Sequence, residues 1–299
     1  MELIDGKKIA ALIKEEIASE VGKMLDRGDE PPHLVAVLVG EEPASQSYVA
    51  GKEKACHEVG IFSTVYRLPE TVSQQQLHEV IDFLNNDETV DGFIVQLPLP
   101  VHINVSSIIE RIDPRKDVDG FHPLNIGRMV LGEPAYLPAT PYGILMMLEK
   151  AGIETEGKHC VVLGRSNIVG TPMSVLLSRK TLPGNATVTL CHSKTHDLTS
   201  ITRQADILIA AIGQPGFVKA DMVKEGAVVV DVGIHRIPDA SKPSGYRLTG
   251  DVDFAGVSSK VSRITPVPGG VGVMTVVGLL QNTLHAAQGS VYPITREKT

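Results

Sequence analysis

The first third of the chain alternates between two hydrophobic patterns, one of helical period and one of continuous apolar runs. Apolar positions recur at helical spacing after Asp5 and after Ser73, both suited to cap a helix, and Ser73 with Gln76 forms a possible capping box. Another helix is predicted from about residue 44 to Gly60. The continuous runs predict buried strands at residues 34–39, 61–68 and 90–97. This alternation of strand and helix predicts a parallel α/β layer.

The second half of the chain repeats the alternation after a segment of a different kind. Residues 113–141 are rich in Pro, Gly and Asp and have no sustained period, so a long functional connection is predicted there. Thr140 and Pro141 suit the cap and first turn of a helix running to Gly152. A final helix is predicted over residues 273–288, long enough to return to the first domain. Apolar runs predict four more strands, at residues 160–163, 187–191, 207–212 and 228–232.

A glycine-containing turn, residues 161–172, begins this second half with the sequence Val-Val-Leu-Gly-Arg-Ser-Asn-Ile-Val-Gly-Thr-Pro. A helix that starts just after such a turn presents backbone N–H groups that favour an anion. The spacing departs from the dinucleotide fingerprint G-x-G-x-x-G, because Ser166 replaces the second glycine and Gly170 comes one residue late. An ordinary βα turn is the alternative. Because the turn follows the first strand of an α/β unit, a pyrophosphate site at Gly164 is predicted.

Length and composition narrow the class of protein. At 299 residues the chain exceeds the usual size of one core, so two domains are expected. A net charge of −7 without a basic tract argues against nucleic acid as a main partner. The 3 cysteines lack paired spacing, so no disulfide framework or zinc site is indicated, and a reducing cytoplasm fits. The charged N-terminus and the shortness of the apolar runs predict neither signal peptide nor membrane span.

Four polar residues of the first half are candidates for chemistry. Tyr48 and Lys52 are four residues apart and share one face of the predicted helix, although a solvated surface pair is the plainer interpretation. Gln96 lies at the carboxyl end of a predicted strand, where α/β sheets hold ligands. Asp119 lies in the aperiodic connection, where an Asp-Gly turn is the alternative role.

Five segments that cover nearly the whole chain carry a resemblance to a known family. They are Ala44-Ser-Gln-Ser-Tyr-Val-Ala-Gly-Lys, Gln96-Leu-Pro-Leu-Pro, Lys116-Asp-Val-Asp-Gly-Phe, Gly164-Arg-Ser-Asn-Ile-Val-Gly-Thr-Pro and Pro268-Gly-Gly-Val-Gly. The chain resembles the bifunctional methylenetetrahydrofolate dehydrogenase/methenyltetrahydrofolate cyclohydrolase family. The resemblance implies a homodimer of chains with two α/β domains, the second a Rossmann-like doubly wound parallel sheet, and a folate site in the cleft between them. Residues 1–139 and 273–299 would form the folate-binding catalytic domain, and residues 140–272 the NAD(P)-binding domain.

The resemblance also implies roles for individual residues. Lys52 matches the cyclohydrolase lysine of the family, with Tyr48 and Gln96 beside it, and Asp119 matches the residue that holds the pterin. Substrate contacts are implied for Tyr48, Asp119, Pro268 and Gly270. Cofactor contacts are implied for Gly164, Arg165, Ser166, Ile168, Gly170, Ser193 and Ile234. The implied partners are tetrahydrofolate one-carbon derivatives, in a cytoplasmic enzyme that serves purine biosynthesis.

The chemistry of the implied reactions explains why these residue types suit the site. Oxidation of the methylene bridge sends a hydride to the nicotinamide and leaves an amidinium cation, so holding the two carbons in register is most of the first reaction. The second reaction adds water to that cation and needs a base. Lys52 can be that base if burial and the nearby cation keep it neutral, whereas an arginine stays charged. Gln96 would orient Lys52, and Asp119 would accept from pterin N–H groups.

The cofactor is predicted to be NADP rather than NAD. Proteins that select NAD commonly carry an acidic residue at the end of the second strand of the dinucleotide unit. Here that strand ends Leu190-Cys-His-Ser-Lys, which contains no carboxylate. Arg165, Ser193 and Lys194 could surround a ribose phosphate instead, and in the resembled family the positions of Arg165 and Ser193 contact it.

Two other interpretations of the chain remain at this point. One is a different nicotinamide-dependent dehydrogenase of two α/β domains, such as one acting on shikimate, and the other is a dinucleotide-binding sensor without turnover. No metal site is predicted, because His192 and His196 are four residues apart but have no apparent third ligand. Ala139 and Val273 stand where the resembled family often has Cys and Pro, and neither position is an expected catalytic group.

Overall fold

The computed structural model describes residues 1–242 and 245–293, and its contacts divide the chain into two compact units. The large-sheet unit comprises Met1–Ala11 and Thr140–Thr275, and the small-sheet unit comprises Leu12–Ala139 and the residues from Val276. This division assigns the first eleven residues to the unit that contains Thr140–Thr275, whereas the sequence-based domain prediction grouped them with residues 12–139.

The chain begins with a short strand and a long helix and then builds the small-sheet unit. These elements are β1 (Glu2–Leu3), α1 (Gly6–Asp26), β2 (His33–Val39), α2 (Pro43–Glu58), β3 (Phe62–Leu68), α3 (Gln74–Asn86), β4 (Gly92–Val95), α4 (Val105–Arg111) and α5 (Pro123–Leu131). The strands form a parallel sheet in the order β3-β2-β4. Every residue of β2 after His33 is buried, as its continuous apolar run predicts for a strand covered on both faces.

The large-sheet unit holds most of the remaining elements. They are α6 (Ala139–Lys150), β5 (His159–Leu163), α7 (Gly170–Ser178), β6 (Thr187–Cys191), α8 (Leu198–Thr202), β7 (Ile207–Ala210), a 3₁₀ turn (Ala220–Met222), β8 (Val228–Asp231), β9 (His235–Pro238), β10 (Tyr246–Thr249), α9 (Phe254–Ser258), β11 (Arg263–Ile264) and α10 (Val271–Ala287). Six parallel strands form one sheet in the order β1-β11-β8-β7-β5-β6. Strands β9 and β10 form a separate antiparallel pair. The predicted class, two α/β units with parallel sheets, is confirmed.

Each unit has its own hydrophobic core. In the small-sheet unit the core joins the buried faces of β2 and β4 to α3 and α4. In the large-sheet unit it joins β5, β7 and β8 to the 3₁₀ turn and α9. The first parts of α1 and α10 belong to the large-sheet unit and their later parts to the small-sheet unit.

The prediction of a long connection without regular structure over residues 113–141 is wrong for its middle part, because helix α5 lies there. The His122 side chain accepts a hydrogen bond from Leu124 N, Pro123 is the first helical residue, and Gly132 ends the helix in the left-handed conformation. Pro at the first turn and Gly after the last are ordinary helix boundary signals, but nine residues are too few to display a clear period.

The predicted helix starts have different outcomes. Ser73 and Gln76 form the predicted capping box of α3, and Asp5 accepts from Lys8 N at 3.1 Å at the start of α1. The predicted cap at Thr140 is wrong, because α6 already includes Ala139 and the Thr140 hydroxyl instead hydrogen-bonds to that of Thr275 at 2.9 Å. Among the described residues, no helix combines the length and apolar character needed to cross a membrane.

Candidate active site

A lysine–glutamine pair lies at the carboxyl edge of the small sheet. Lys52, on the middle of α2, donates from Nζ to Gln96 Oε1 at 3.0 Å, and Gln96 follows the last residue of β4. The Gln96 amide is held in one orientation, because its Nε2 donates to Leu97 O at 2.7 Å. Its backbone N–H donates to Val37 O at 2.9 Å, which continues the sheet pairing and fixes where the side chain starts. The amide oxygen therefore faces the lysine nitrogen.

Asp119 belongs to the same site. Its side chain is half-buried, burial raises the pKa of its carboxyl, and the charge of Lys52 opposes that rise. Tyr48 lies one turn before Lys52 on α2 with 48% of its surface exposed, and among the described contacts its hydroxyl has no hydrogen bond to Lys52. The structure thus brings Lys52, Gln96 and Asp119 together and leaves the Tyr48 ring available to a ligand.

The loop that presents Asp119 is held by buried polar residues that the sequence analysis missed. Asp117 is 1% exposed and accepts from His122 N at 2.7 Å and from Asn125 Nδ2 at 3.0 Å, while burial raises the pKa of its carboxyl to about 7. Asn282 Nδ2 donates to the carbonyls of Val118 and Leu137, both at 2.8 Å. The two aspartates of Asp-Val-Asp-Gly were the available sequence signal. The Asp117 carboxyl holds the loop through hydrogen bonds, and the loop presents the Asp119 carboxyl to the site.

The predicted dinucleotide turn of the large-sheet unit is closely packed. Gly164 follows β5 with a φ of +110° and donates from its N–H to Cys191 O at 2.9 Å. A Cβ on Gly170 would collide with the carbonyl oxygen of Gly164, and a Cβ on Gly164 would collide with that of Ala211. Only glycine permits these close approaches, because it has no side chain. We call this turn, residues 164–170, the glycine cradle. Ser166 Oγ accepts from Val169 N at 3.2 Å and from Gly170 N at 3.4 Å.

Most of the other predicted cofactor residues surround this turn or the neighbouring strand end with exposed side chains. Arg165 and Ile168 are exposed in the turn itself, and Ser193 and Lys194 are exposed just after β6. The loop after β6 is closed by His192 N, which donates to Thr195 Oγ1 at 2.9 Å. Arginine, serine and lysine donors without a carboxylate among them suit a dianionic phosphate.

Ile234, Pro268 and Gly270 lie on two other loops of the large-sheet unit. Ile234 is 40% exposed after β8, and its Cδ1 lies 2.8 Å from where a Cβ on Gly272 would stand. Gly270 likewise leaves no room for a side chain, because a Cβ there would stand 2.5 Å from Pro266 O. The loops that carry Ile234 and Gly270 are therefore adjacent.

Metal chemistry has no candidate site in the described part of the chain. Across residues 1–242 and 245–293, no group of three or more His, Cys, Asp or Glu side chains is arranged to hold a metal ion. The His192 ring nitrogen Nδ1 accepts from the backbone N–H of Lys194 at 3.2 Å, so it serves the loop that it belongs to.

Comparison with known proteins identifies both halves of the chain. Residues 4–119 match the catalytic domain of tetrahydrofolate dehydrogenase/cyclohydrolase, and residues 138–291 match the NAD(P)-binding domain of the same family. The bifunctional protein FolD of Cytophaga hutchinsonii is 60% identical over 287 residues, which are 96% of this chain and 99% of that protein.

Two solved structures agree with this match along nearly the whole chain. FolD methylenetetrahydrofolate dehydrogenase/cyclohydrolase from Campylobacter jejuni superimposes with a TM-score of 0.90 at 49% identity, covering 97% of this chain and 99% of that one. FolD from Trypanosoma brucei, solved with NADP and an inhibitor, gives a TM-score of 0.90 at 39% identity, covering 97% and 98%. This chain therefore belongs to the tetrahydrofolate dehydrogenase/cyclohydrolase family.

Proposed function

We propose that the protein carries out two consecutive reactions of folate one-carbon metabolism. It oxidises 5,10-methylenetetrahydrofolate to 5,10-methenyltetrahydrofolate with NADP, and it hydrolyses the product to 10-formyltetrahydrofolate. Family membership over both domains supports the two activities. The observation that carries the residue-level proposal is the Lys52–Gln96 hydrogen bond of 3.0 Å beside the half-buried Asp119.

Lys52 is the base of the hydrolysis. A neutral amine has two N–H bonds and one lone pair, and Gln96 Oε1 accepts one of those N–H bonds at 3.0 Å. Because Leu97 O holds the Gln96 amide in place, the Lys52–Gln96 hydrogen bond sets the direction in which the lone pair of Lys52 points. A water molecule attacking the methenyl carbon loses its proton to that lone pair, and the cationic substrate favours the uncharged form of the lysine beside it.

Asp119 and Tyr48 hold the folate. The Asp119 carboxylate accepts hydrogen bonds from the N–H groups at the edge of the pterin, which compensates for the cost of its burial. The exposed Tyr48 ring, one turn from Lys52, packs against the folate ring system. Pro268 and Gly270 contribute the further substrate contacts.

The glycine cradle fits NADP, and the residues around it define how the cofactor is bound. Gly164, Ser166 and Gly170 form the tight turn at the start of α7 that receives the pyrophosphate, and Arg165 with Ser193 binds the ribose phosphate that distinguishes NADP from NAD. Ile168 and Ile234 cover apolar parts of the cofactor with their exposed side chains. When bound, NADP accepts the hydride from the methylene bridge.

The remaining assignments concern the protein as a whole. We place folate binding mainly in residues 12–139 and NADP binding in residues 140–272, consistent with the separate family matches to the two parts of the chain. The active form is a homodimer in the cytoplasm, and the formyl product serves purine biosynthesis. Sedimentation of the purified protein across a concentration series tests the dimer.

One experiment tests the proposed function directly. The protein is mixed with methylenetetrahydrofolate and NADP, and NADPH and formyltetrahydrofolate are followed together. We expect NADPH to appear first and formyltetrahydrofolate to follow from the methenyl intermediate. A dehydrogenase specific for another substrate would give NADPH only with that substrate, and a non-enzymatic sensor would bind NADP without producing either compound.

A further inference from the structure

Two buried carboxylates lie at the carboxyl edge of the large sheet, outside the residues assigned to substrate or cofactor. Asp251 is 0% exposed, and its Oδ2 accepts from the backbone N–H groups of Ile212 and Gly213 at 2.7 and 3.0 Å. Asp231 is 3% exposed and accepts from Gly233 N at 3.0 Å. Each carboxylate therefore holds one loop, the first after β7 and the second after β8.

The two carboxylates are also joined to each other through the backbone. Asp251 N donates to Asp231 Oδ1 at 2.8 Å, and Val252 N donates to Asp231 Oδ2 at 3.0 Å. Glycine makes these distances possible, because a Cβ on Gly233 or on Gly250 would collide with an aspartate carboxylate. The loops after β7 and β8 are thus bound into one polar cluster with little freedom to move independently.

His235 completes the cluster. Its Nε2 lies 2.7 Å from Asp251 Oδ1, the oxygen that the loop after β7 leaves available. Because an ionised carboxylate only accepts, the hydrogen bond to Asp251 is made by the tautomer that carries a proton on Nε2. The His235 side chain is 21% exposed and follows Ile234, whose side chain reaches Gly272 in the first turn of α10. The histidine therefore connects the buried carboxylate to the segment that carries Ile234.

The position of the cluster relative to the cofactor follows from the strand order. The neighbouring strands β8-β7-β5-β6 place the glycine cradle at the end of β5 and the ribose-phosphate residues at the end of β6. In an α/β sheet a dinucleotide lies along the carboxyl ends of the strands, with its pyrophosphate at the first βα turn. The half of the cofactor beyond the pyrophosphate then faces the ends of β7 and β8, where Asp251 and Asp231 hold the loops.

We propose that His235 and Asp251 form a positioning pair that fixes the loops after β7 and β8 and thereby sets the orientation of the redox-active half of NADP. The proposal rests on the proposed function. Neither residue has to touch the cofactor: Asp251 acts through Ile212 and Gly213, and His235 acts by satisfying the second Asp251 oxygen. Loss of that N–H donor leaves a buried carboxylate oxygen unpaired, so the loops shift to supply another donor.

Two substitutions of similar size separate positioning from folding. His235→Gln can place an amide N–H where Nε2 stands, whereas the shorter His235→Asn reaches only the position of Nδ1. We expect His235→Asn to raise the Kd of NADPH, measured by the fluorescence of the bound nicotinamide, by about ten-fold and to lower the dehydrogenase kcat. His235→Gln should restore both quantities to within about three-fold of the unaltered protein, as about 0.7 kcal/mol of residual loss would give.

Arg236→Leu is the matched control, since Arg236 is the next residue of β9 and stacks on Tyr246 within the β9–β10 hairpin at 4.9 Å. It alters the hairpin without touching Asp251, and we expect it to leave the Kd of NADPH unchanged. The isotope effect of a substrate deuterated at the methylene carbon gives a second readout: it should rise in His235→Asn, because misplaced carbons make hydride transfer slower.

Each outcome of these experiments either supports or overturns the role proposed for His235 and Asp251. The pair would be overturned if His235→Asn and His235→Gln changed the Kd of NADPH equally. It would also be overturned if Arg236→Leu raised that Kd as much as His235→Asn does. If the unaltered protein failed to oxidise methylenetetrahydrofolate, the proposed function would fall, but the NADPH titrations would still decide whether His235 and Asp251 order the cofactor site. A raised Kd in His235→Asn with rescue in His235→Gln supports the pair.

Discussion

Three consecutive parallel strands of each unit, β2–β4 and β5–β7, are built on the same plan, although the two units are proposed to serve different chemistry. The strand order is β3-β2-β4 in the small sheet and β6-β5-β7 within the large sheet, so in each set of three the strand that comes first in sequence is central. In both, the first glycine after the central strand has a positive φ and donates to the last residue of the next strand: Gly40 N to Leu68 O and Gly164 N to Cys191 O, both at 2.9 Å.

A histidine bracket at the opposite edge repeats in the two sheets. His33 and His159 begin the central strands, and each backbone N–H donates to an aspartate that precedes the third strand, at 2.8 and 2.9 Å. Each ring Nε2 meets a threonine hydroxyl on the second strand, at 3.0 Å in the small sheet and 2.9 Å in the large one. The framework is therefore common to both units, and the difference in function arises elsewhere.

The two units differ at the helix that begins after this glycine. In the small-sheet unit Glu42 caps α2 and accepts from Ser45 N at 2.6 Å, so a protein carboxylate already occupies the anion position. In the large-sheet unit the N-cap of α7 is Val169, whose apolar side chain cannot accept a hydrogen bond. The helix start that lacks an internal anion is the one suited to a cofactor phosphate, and the other unit places its chemistry on side chains further along α2.

Removing the proposed base, Lys52, gives the largest expected effect and separates the two proposed activities. Lys52→Met keeps an apolar stem but cannot accept a proton, so hydrolysis of methenyltetrahydrofolate should fall by about 10²- to 10⁴-fold while NADP reduction persists. The two rates are measured on the same preparation. Lys54→Met is the control, because Lys54 lies on the same helix with 80% of its side chain exposed. Unchanged hydrolysis in Lys52→Met would remove Lys52 from the mechanism.

Filling the glycine cradle should damage the other unit instead. Gly170→Ala forces the start of α7 away from the Gly164 carbonyl, and strain of about 1–3 kcal/mol would weaken NADP binding by about 10- to 100-fold. Equilibrium titration with NADPH measures the loss. A Cβ on Gly22, in α1, meets open space within the described structure, so Gly22→Ala should bind NADPH normally and be more stable by about 0.5–1 kcal/mol.

Arg165 tests whether the phosphate of NADP is recognised beside this cradle. A charged hydrogen bond contributes about 1.5–3 kcal/mol, so Arg165→Ala should weaken NADP by about 10- to 100-fold and NAD much less. Affinities for both cofactors are compared with those of Lys180→Ala, which removes one exposed positive charge from the same unit. Equal losses for NADP and NAD, or a preference of the unaltered protein for NAD, would contradict the assignment.

The smallest effect is expected from removing the histidine brackets, His33 and His159. These variants test whether the bracket stabilises the two sheets equally. His33→Leu and His159→Leu each remove two side-chain hydrogen bonds, and each should cost about 1–2 kcal/mol of unfolding free energy. Urea unfolding of the two variants measures both costs. A difference of more than about 1 kcal/mol between them would show that the bracket stabilises one unit more than its counterpart.

The regular helices and strands of this fold were predictable from local sequence. The hydrogen bonds between polar side chains that are distant in sequence were not. The strand over residues 34–39 and the capping box at Ser73 follow from apolar runs and side-chain chemistry within a few positions. Lys52 and Gln96 could be nominated because the first lies on a predictable helix and the second directly after a predictable strand. Their hydrogen bond, by contrast, joins residues 44 positions apart, and no local period encodes such a contact.

The same reason explains the residues that the sequence analysis missed. Asn282 supports the Asp119 loop from 164 positions away through Val118 O, and it appears in the sequence only as a polar residue inside an apolar helix. Asp251 lies in an irregular segment 16 positions from His235, the first residue of β9, and no helical or strand period relates the two. Buried polar groups that need partners are the signal, but burial is known only once the fold is known.

The pairing of β1 with β11 determines when, during synthesis, this edge of the large sheet can form. Glu2 and Leu3 are synthesised long before their partners Arg263 and Ile264, which are among the last residues of the large-sheet unit to be made. Ile4, which is 2% exposed and donates to Ile264 O at 2.9 Å, has to wait for the same strand. The nascent chain therefore carries β1 unpaired while the residues between β1 and β11 are made, and this edge of the sheet closes only after β11 has been synthesised.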